Sequence, residues 1–311
     1  MTTAWQGEDP ERDPRTSPAR PLHGEILPPA PSDVASYQYP ADGSLSSEPA
    51  LHQRPAASLT SRILAGWSYA PATYILIAIN ITVYLLMVLR GVSGWSPTAA
   101  QILHWGANLG AYEIVNGQWW RLLTATFVHI GILHIATNMW CLWNLGLLGE
   151  PLLGAFGMIC VYAITGVAGN LLSTAITASS FVPGAGASGA VFGIAGILIL
   201  LLNGPHLPFP RDELKRLRRS VIYFAAINLA IGASTLMYSG GIKIDNYAHL
   251  GGFLSGMALG LPLAPVLGTG KGRYMRRQRI AFAVAAVSLL LFANGIAHYW
   301  RPILSAMMGN S

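Results

Sequence analysis

Pro183-Gly-Ala-Gly-Ala-Ser188-Gly-Ala-Val-Phe-Gly193 is rich in glycine and alanine, holds one serine, and runs straight into a long apolar segment. Ser188 therefore stands at the mouth of a predicted membrane-spanning helix. A serine hydroxyl alone is a weak nucleophile and needs a base to take its proton. Glycines on either side let a substrate backbone come close and leave amide N–H groups free at a helix start. A catalytic reading requires the rest of the chain to supply a base and an oxyanion site at the same depth.

Composition sets the class. Of 311 residues, 52% are hydrophobic and 10% charged, against about 25% charged in soluble domains. This is the composition of an all-α polytopic membrane protein. Cys141 and Cys160 both fall inside apolar runs, so core packing is expected rather than a disulfide framework. Residues 1–62 hold 10 of the 20 prolines, many Ser and Ala, and no apolar periodicity. They read as a disordered tail, either a simple extension or a docking or regulatory segment. No basic region precedes a short apolar stretch at the start, so no signal peptide is expected.

Seven apolar segments follow, near Tyr74–Leu89, Ile132–Leu148, Leu152–Ile176, Ser188–Leu202, Val221–Met237, Ala248–Leu267 and Ile280–Trp300. Each approaches the roughly 20 residues needed to cross the hydrocarbon as a helix. Of 19 Lys and Arg residues, 15 fall in the tail, in the loop Arg211–Arg219 and in the loop Lys271–Arg279. Only Arg90, Arg121, Lys243 and Arg301 lie on the other side. The positive-inside rule then predicts a cytoplasmic N-terminus and an outside C-terminus. The formal charge of +6 is thus a topology signal, and nucleic acid drops out as a partner.

The outside loop between the first two segments carries Trp95, Trp105, Trp119 and Trp120. Its end, Trp119-Trp120-Arg121, reads as an interfacial anchor without catalytic duty. The second segment opens with His129-Ile-Gly-Ile-Leu-His134-Ile-Ala-Thr-Asn138. His134 and Asn138, four apart, share one helix face, while His129 points elsewhere. No Glu follows either histidine, so the pattern is not that of a zinc protease, and no metal is expected. Taken alone, the pair suits interhelical hydrogen bonding better than catalysis.

The sixth segment opens with Asp245-Asn-Tyr-Ala-His249-Leu-Gly-Gly252, above a stripe of small residues at Ala248, Gly252, Gly256 and Gly260. The fourth has its own pair, Gly189 and Gly193. Such stripes let helices pack backbone to backbone, which would bring Ser188 and His249 together. In the predicted topology His134, Asn138, Ser188 and His249 all lie within about two turns of the outer end of their helices, in one shallow layer. In that layer Ser188 is the expected nucleophile and His249 its base. The oxyanion is expected on the N–H of Ser188, the amide of Asn138 and His134. Asp245 suits an N-cap role better than orienting His249, so a dyad is expected rather than a triad.

This combination resembles the rhomboid family of intramembrane serine proteases. The matching residues are Trp120-Arg121, His134 and Asn138 in an H-x4-H-x3-N setting, Gly186-Ala187-Ser188-Gly189, and Ala248-His249-Leu-Gly-Gly252, in family order over roughly residues 112–260. The resemblance implies a bundle of seven transmembrane helices in a 6+1 arrangement: a disordered cytoplasmic tail (1–62), a six-helix catalytic core (63–267), and a basic cytoplasmic loop with a seventh helix (268–311). It implies a plasma-membrane serine endopeptidase that cuts single-span membrane proteins near the outer face, without metal or organic cofactor. Gly186, Gly189, Gly252, Trp120 and Arg121 match supporting positions, and Phe192 falls where many members have Tyr, with a ring able to stack on His249. Glu150 and Gly154 match a structural turn after the second helix. Ser239-Gly240-Gly241 corresponds to the family's mobile lid. Oligomeric state is not readable.

Two other readings compete. A catalytically inactive relative would bind or escort membrane proteins, but such relatives usually lack the serine or the histidine, and here both are present. A transporter or channel would need polar residues continuing to the inner face, whereas the helices become apolar below Ser188 and Ser255.

Overall fold

Helix α1 (Pro71–Leu89) begins with a proline, which suits the first helical turn because its missing N–H would be unpaired there anyway. No neighbouring side chain caps it. The buried carboxylate of Glu150 does so from far along the chain. Its Oε1 accepts from Ala72 N at 2.8 Å, and its Oε2 accepts from the Thr73 N–H and hydroxyl at 2.7 Å each. The computed structural model that provides these distances describes residues 69–207, 209–234 and 244–309. The tail (1–62) and Ser239-Gly240-Gly241 lie outside the described residues.

The loop after α1 is more ordered than its composition suggests. It holds three short helices, α2 (Ala99–His104), α3 (Gly110–Ile114) and α4 (Arg121–Thr124). Thr98 and Gln101 form a capping box at the start of α2. The anchor expected at Trp119-Trp120-Arg121 divides its labour. Trp120 is 52% exposed, whereas Arg121 is only 7% exposed. Arg121 Nη1 donates to Leu103 O at 2.7 Å and Ala107 O at 3.0 Å, Nε donates to Gln118 Oε1 at 2.6 Å, and the guanidinium lies over the Trp120 and Tyr112 rings. A buried charge needs such partners, so Arg121 holds the loop together from inside.

Helix α5 (Ile132–Thr177) is two limbs joined at Gly154, whose φ of 74° favours glycine. The break falls inside the predicted segment Leu152–Ile176 because the backbone turns at Gly154, although apolarity resumes earlier. Helix α6 (Ser188–Leu201), apolar all round, is buried along most of its length, as expected of a central helix. Helix α8 (Asn246–Leu263) packs against it along a glycine seam. A Cβ on Gly252 would collide with Gly189 O, and one on Gly256 with Gly193 O. The small-residue stripes meet as predicted, backbone on backbone.

Helices α7 (Arg211–Ser234) and α9 (Lys271–Met307) start about ten residues earlier than predicted. The basic stretch assigned as a cytoplasmic loop from residue 268 is therefore mostly the first turns of α9. Lys and Arg are good helix formers, so hydropathy marks the lipid-crossing part of a helix and not its true end. Helix α9 is tied at both ends: Gln278 Nε2 donates to Leu153 O at 2.9 Å, Trp300 Nε1 to Ala175 O at 2.9 Å, and Arg301 Nε to Ile114 O at 3.1 Å. Both cysteines are free and half-buried, packed against the central core.

Among the described residues, four helical stretches are long and apolar enough to cross a membrane: Pro71–Leu89, Ile132–Ser180, Asn246–Val266 and Lys271–Met307. The buried α6 is a shorter apolar helix. The fold is that of an all-α polytopic membrane protein.

Candidate active site

The segment leading to Ser188 is held from three directions. Asn108 and Gly184 exchange backbone hydrogen bonds at 2.8 and 2.9 Å, and Gly186 N donates to Ala125 O at 2.9 Å. The third hold is His129, which is fully buried. Its Nε2 accepts from Ala187 N at 3.4 Å, leaving Nδ1 to donate to Phe127 O at 3.2 Å. Helical spacing from His134 turns His129 away, but it precedes the helix. Gly131, at φ 89°, redirects the chain before Ile132, and the two rings lie 5.3 Å apart. His129 thus fastens the residue before Ser188.

His134 faces the same segment. A Cβ on Gly186 would lie 2.6 Å from His134 Cε1 and 2.8 Å from Nε2, and Gly186 has a φ of 134°. No other residue fits there without displacing the ring or straining the backbone. His134 Nδ1 accepts from Ile130 N at 3.2 Å. The neutral ring therefore carries its proton on Nε2, the nitrogen turned toward Gly186. Asn138 Nδ2 donates to His134 O at 2.9 Å. That bond engages one amide hydrogen on its own helix and leaves the other.

Ser188 is half-buried at the first turn of α6. Its N–H has no acceptor among the described residues. A Cβ on Gly189 would sit 3.3 Å from Ala248 O, so the residue after Ser188 abuts the residue before His249. His249, 6% exposed, stacks on Phe192 with centroids 4.3 Å apart and planes 14° apart. Its Nδ1 is buried without a partner among the described residues. Asp245 is occupied elsewhere: Oδ1 caps α8 by accepting from Ala248 N at 2.9 Å, and Oδ2 accepts from the Ser173 hydroxyl.

Ser188 and His249 thus stand at the facing starts of α6 and α8, which the Gly189–Gly252 seam and the Phe192–His249 stack bring together, with His134 against Gly186 alongside. Trp120 and Arg121 lie outside this cluster. Their link to it is indirect, because Arg121 holds Ala107 O and the next residue, Asn108, pairs with Gly184. Asn108 and Ala125 carry no sequence signal, since they act through backbone groups. His129 stands in the H-x4-H pattern and was findable there.

Apolar helices long enough for a bilayer, with a buried glycine-packed helix at their centre, define an all-α polytopic membrane protein. Residues 116–266 match the family model described as the Rhomboid domain. A rhomboid protease named GluP from Bacillus subtilis is 32% identical over 231 residues, covering 73% of this chain and 40% of that protein. RHOMBOID-like protein 2 from Arabidopsis thaliana is 31% identical over 208 residues, covering 63% of this chain and 62% of that protein. RHOMBOID-like protein 1 from the same plant is 35% identical over 164 residues, covering 53% and 39%. The chain belongs to the rhomboid family, and it spans less than two thirds of the length of these curated relatives.

Proposed function

We propose that this chain is an intramembrane serine endopeptidase that cleaves single-span membrane proteins near the outer membrane face through a Ser188–His249 dyad. The observation that carries the reading is the His249 ring lying flat on Phe192, one turn after Ser188 on the same helix. A relative named as a rhomboid protease supports it.

The Ser188 hydroxyl attacks the scissile carbonyl carbon while neutral His249 takes its proton. The oxyanion of the tetrahedral intermediate is held by the N–H of Ser188, by His134 Nε2–H and by the remaining Asn138 amide hydrogen. The dipole of α6 adds a favourable field at its N-terminus. Collapse breaks the C–N bond, and the leaving amine takes the proton from His249. Water then attacks the acyl-Ser188 ester, passing a proton to His249. Ser188 recovers a proton as the new carboxylic acid leaves. Gly186, Gly189 and Gly252 serve this site by close approach, Phe192 by stacking, and Trp120 with Arg121 by ordering the outer loop.

The same reading makes residues 1–62 a cytoplasmic tail, 63–267 a six-helix core and 268–311 an added seventh helix, in the plasma membrane with the C-terminus outside. Its support is the distribution of Lys and Arg.

A fluorophosphonate probe on detergent-solubilised protein tests the dyad. Labelling of wild type, lost in both Ser188→Ala and His249→Ala, is the expected result. No labelling of folded wild type in several detergents and in liposomes overturns the protease. It would leave a relative that binds or escorts membrane proteins.

A further inference from the structure

A trough of about 620 Å³ lies between α9, the second limb of α5 and the outer loop. Along α9 it runs from Ala286 to Arg301 on one face, through Leu289, Ala293 and Ala297. That is a rise of about 22 Å over the 15 steps from the first residue to the last, at about 1.5 Å each. The alanines leave the space, and the hydrogen bonds of Trp300, Arg301 and Gln278 hold the helix at its two ends. The floor is largely apolar, with Asn294 midway along it and the one charged group, Arg301, at one end.

At that end, Arg301 Nε is fixed on Ile114 O. Its two terminal nitrogens have no hydrogen-bond or ion-pair partner among the described residues. Trp119, from the outer loop, also lines the trough. An exposed guanidinium oriented by its own Nε presents a fork suited to a phosphate, and indole rings favour headgroup depth.

We propose that this trough binds one anionic phospholipid, its phosphate on Arg301 and one acyl chain lying toward Ala286. Length decides between occupants. A spanning helix of a protein partner needs contact across about 30 Å of hydrocarbon, whereas a single leaflet is about half of that. A trough of about 22 Å matches a headgroup plus one leaflet's chain. The charge at one end and the apolar floor match the two halves of an amphiphile. The inference is independent of the proposed protease activity.

Native mass spectrometry of the detergent-purified full chain tests it, with phosphatidylglycerol and phosphatidylcholine of identical chains as probes. Wild type is expected to retain one phosphatidylglycerol, with about a tenfold preference over phosphatidylcholine. Arg301→Gln is expected to lose the preference, Arg301→Lys to keep most of it, and Ala293→Phe to lose both lipids. Arg90→Gln, a charge elsewhere on the chain, should change nothing. Equal phosphatidylglycerol retention in Arg301→Gln and wild type, both with wild-type melting temperature, overturns the proposal. So does a Leu290→Cys variant, altered at a residue that lines the trough, that crosslinks in membranes to a second copy or to another protein.

Discussion

The imidazole of His249 and the phenyl ring of Phe192 lie stacked, with centroids 4.3 Å apart and planes 14° apart. The stack joins α8 to α6 and fixes the imidazole plane without a carboxylate, since both Asp245 oxygens are engaged elsewhere. Aromatic stacking contributes roughly 0.5–1.5 kcal/mol beyond burial. Phe192→Leu is therefore expected to slow fluorophosphonate labelling roughly two- to tenfold, while Phe192→Tyr retains it. A Leu variant labelled at the wild-type rate would show that the ring does not position His249.

The seam beneath the stack predicts a steep size limit. Gly252→Val would drive a side chain into Gly189 O, and overpacking of this kind costs about 1–3 kcal/mol. Melting in detergent should fall clearly. Gly295→Ala, whose Cβ meets nothing within 4 Å, should melt no lower than wild type. Equal melting of the two variants would contradict the seam.

His134 separates chemistry from folding. With Nε2–H turned toward Gly186, it is an oxyanion donor under the proposed mechanism. Removing such a donor costs about 10²–10³ in rate. His134→Ala should lose that much proteolysis of a reconstituted single-span substrate with little change in melting. Unchanged turnover would take His134 out of the mechanism.

Arg121 should matter for the outer loop rather than for turnover itself. Its guanidinium serves two carbonyls and the Gln118 side chain at once, and hydrogen bonds to charged groups contribute about 1.5–3 kcal/mol each. Arg121→Lys cannot span these acceptors from one ammonium. The variant should show a lower melting temperature and faster proteolytic nicking between residues 90 and 131. Wild-type resistance to nicking would refute the clamp.

Glu113 gives the loop a pH dependence. Burial pushes its carboxyl up to about 7, against the opposing pull of the Leu109 N–H and of Arg121. The folded state thus holds a proton that the unfolded chain releases near its ordinary value of 4.5. The stability this confers is complete below about pH 4.5 and is lost as pH rises through about 7. Glu113→Gln should flatten the melting temperature across that window. A variant with the wild-type slope would place the titration elsewhere.

Much of the site is readable along the chain because its parts obey local rules. Apolar length marks helices, four-residue spacing puts His134 and Asn138 on one face, and the stripes at Gly189–Gly193 and Gly252–Gly256 foretell a close seam. His129 fails the same rule because it precedes the helix, and its bond to Ala187 is made by folding. Asn108, Ala125 and Glu150 act on backbone groups distant in sequence, so no spacing reveals them. The early starts of α7 and α9 escape hydropathy because a helix continues into water wherever its residues favour it.

Sequence alone thus determines the class of the molecule, an all-α polytopic membrane protein, and the candidate serine and histidine, since helix period and the cost of burying polar groups are local properties. Tertiary structure alone decides that His129 fastens Ala187, that the second Asp245 oxygen goes to Ser173, and that Glu150 caps α1. Those depend on hydrogen bonds between segments 58 to 78 residues apart in the chain, and they form only when the helices meet.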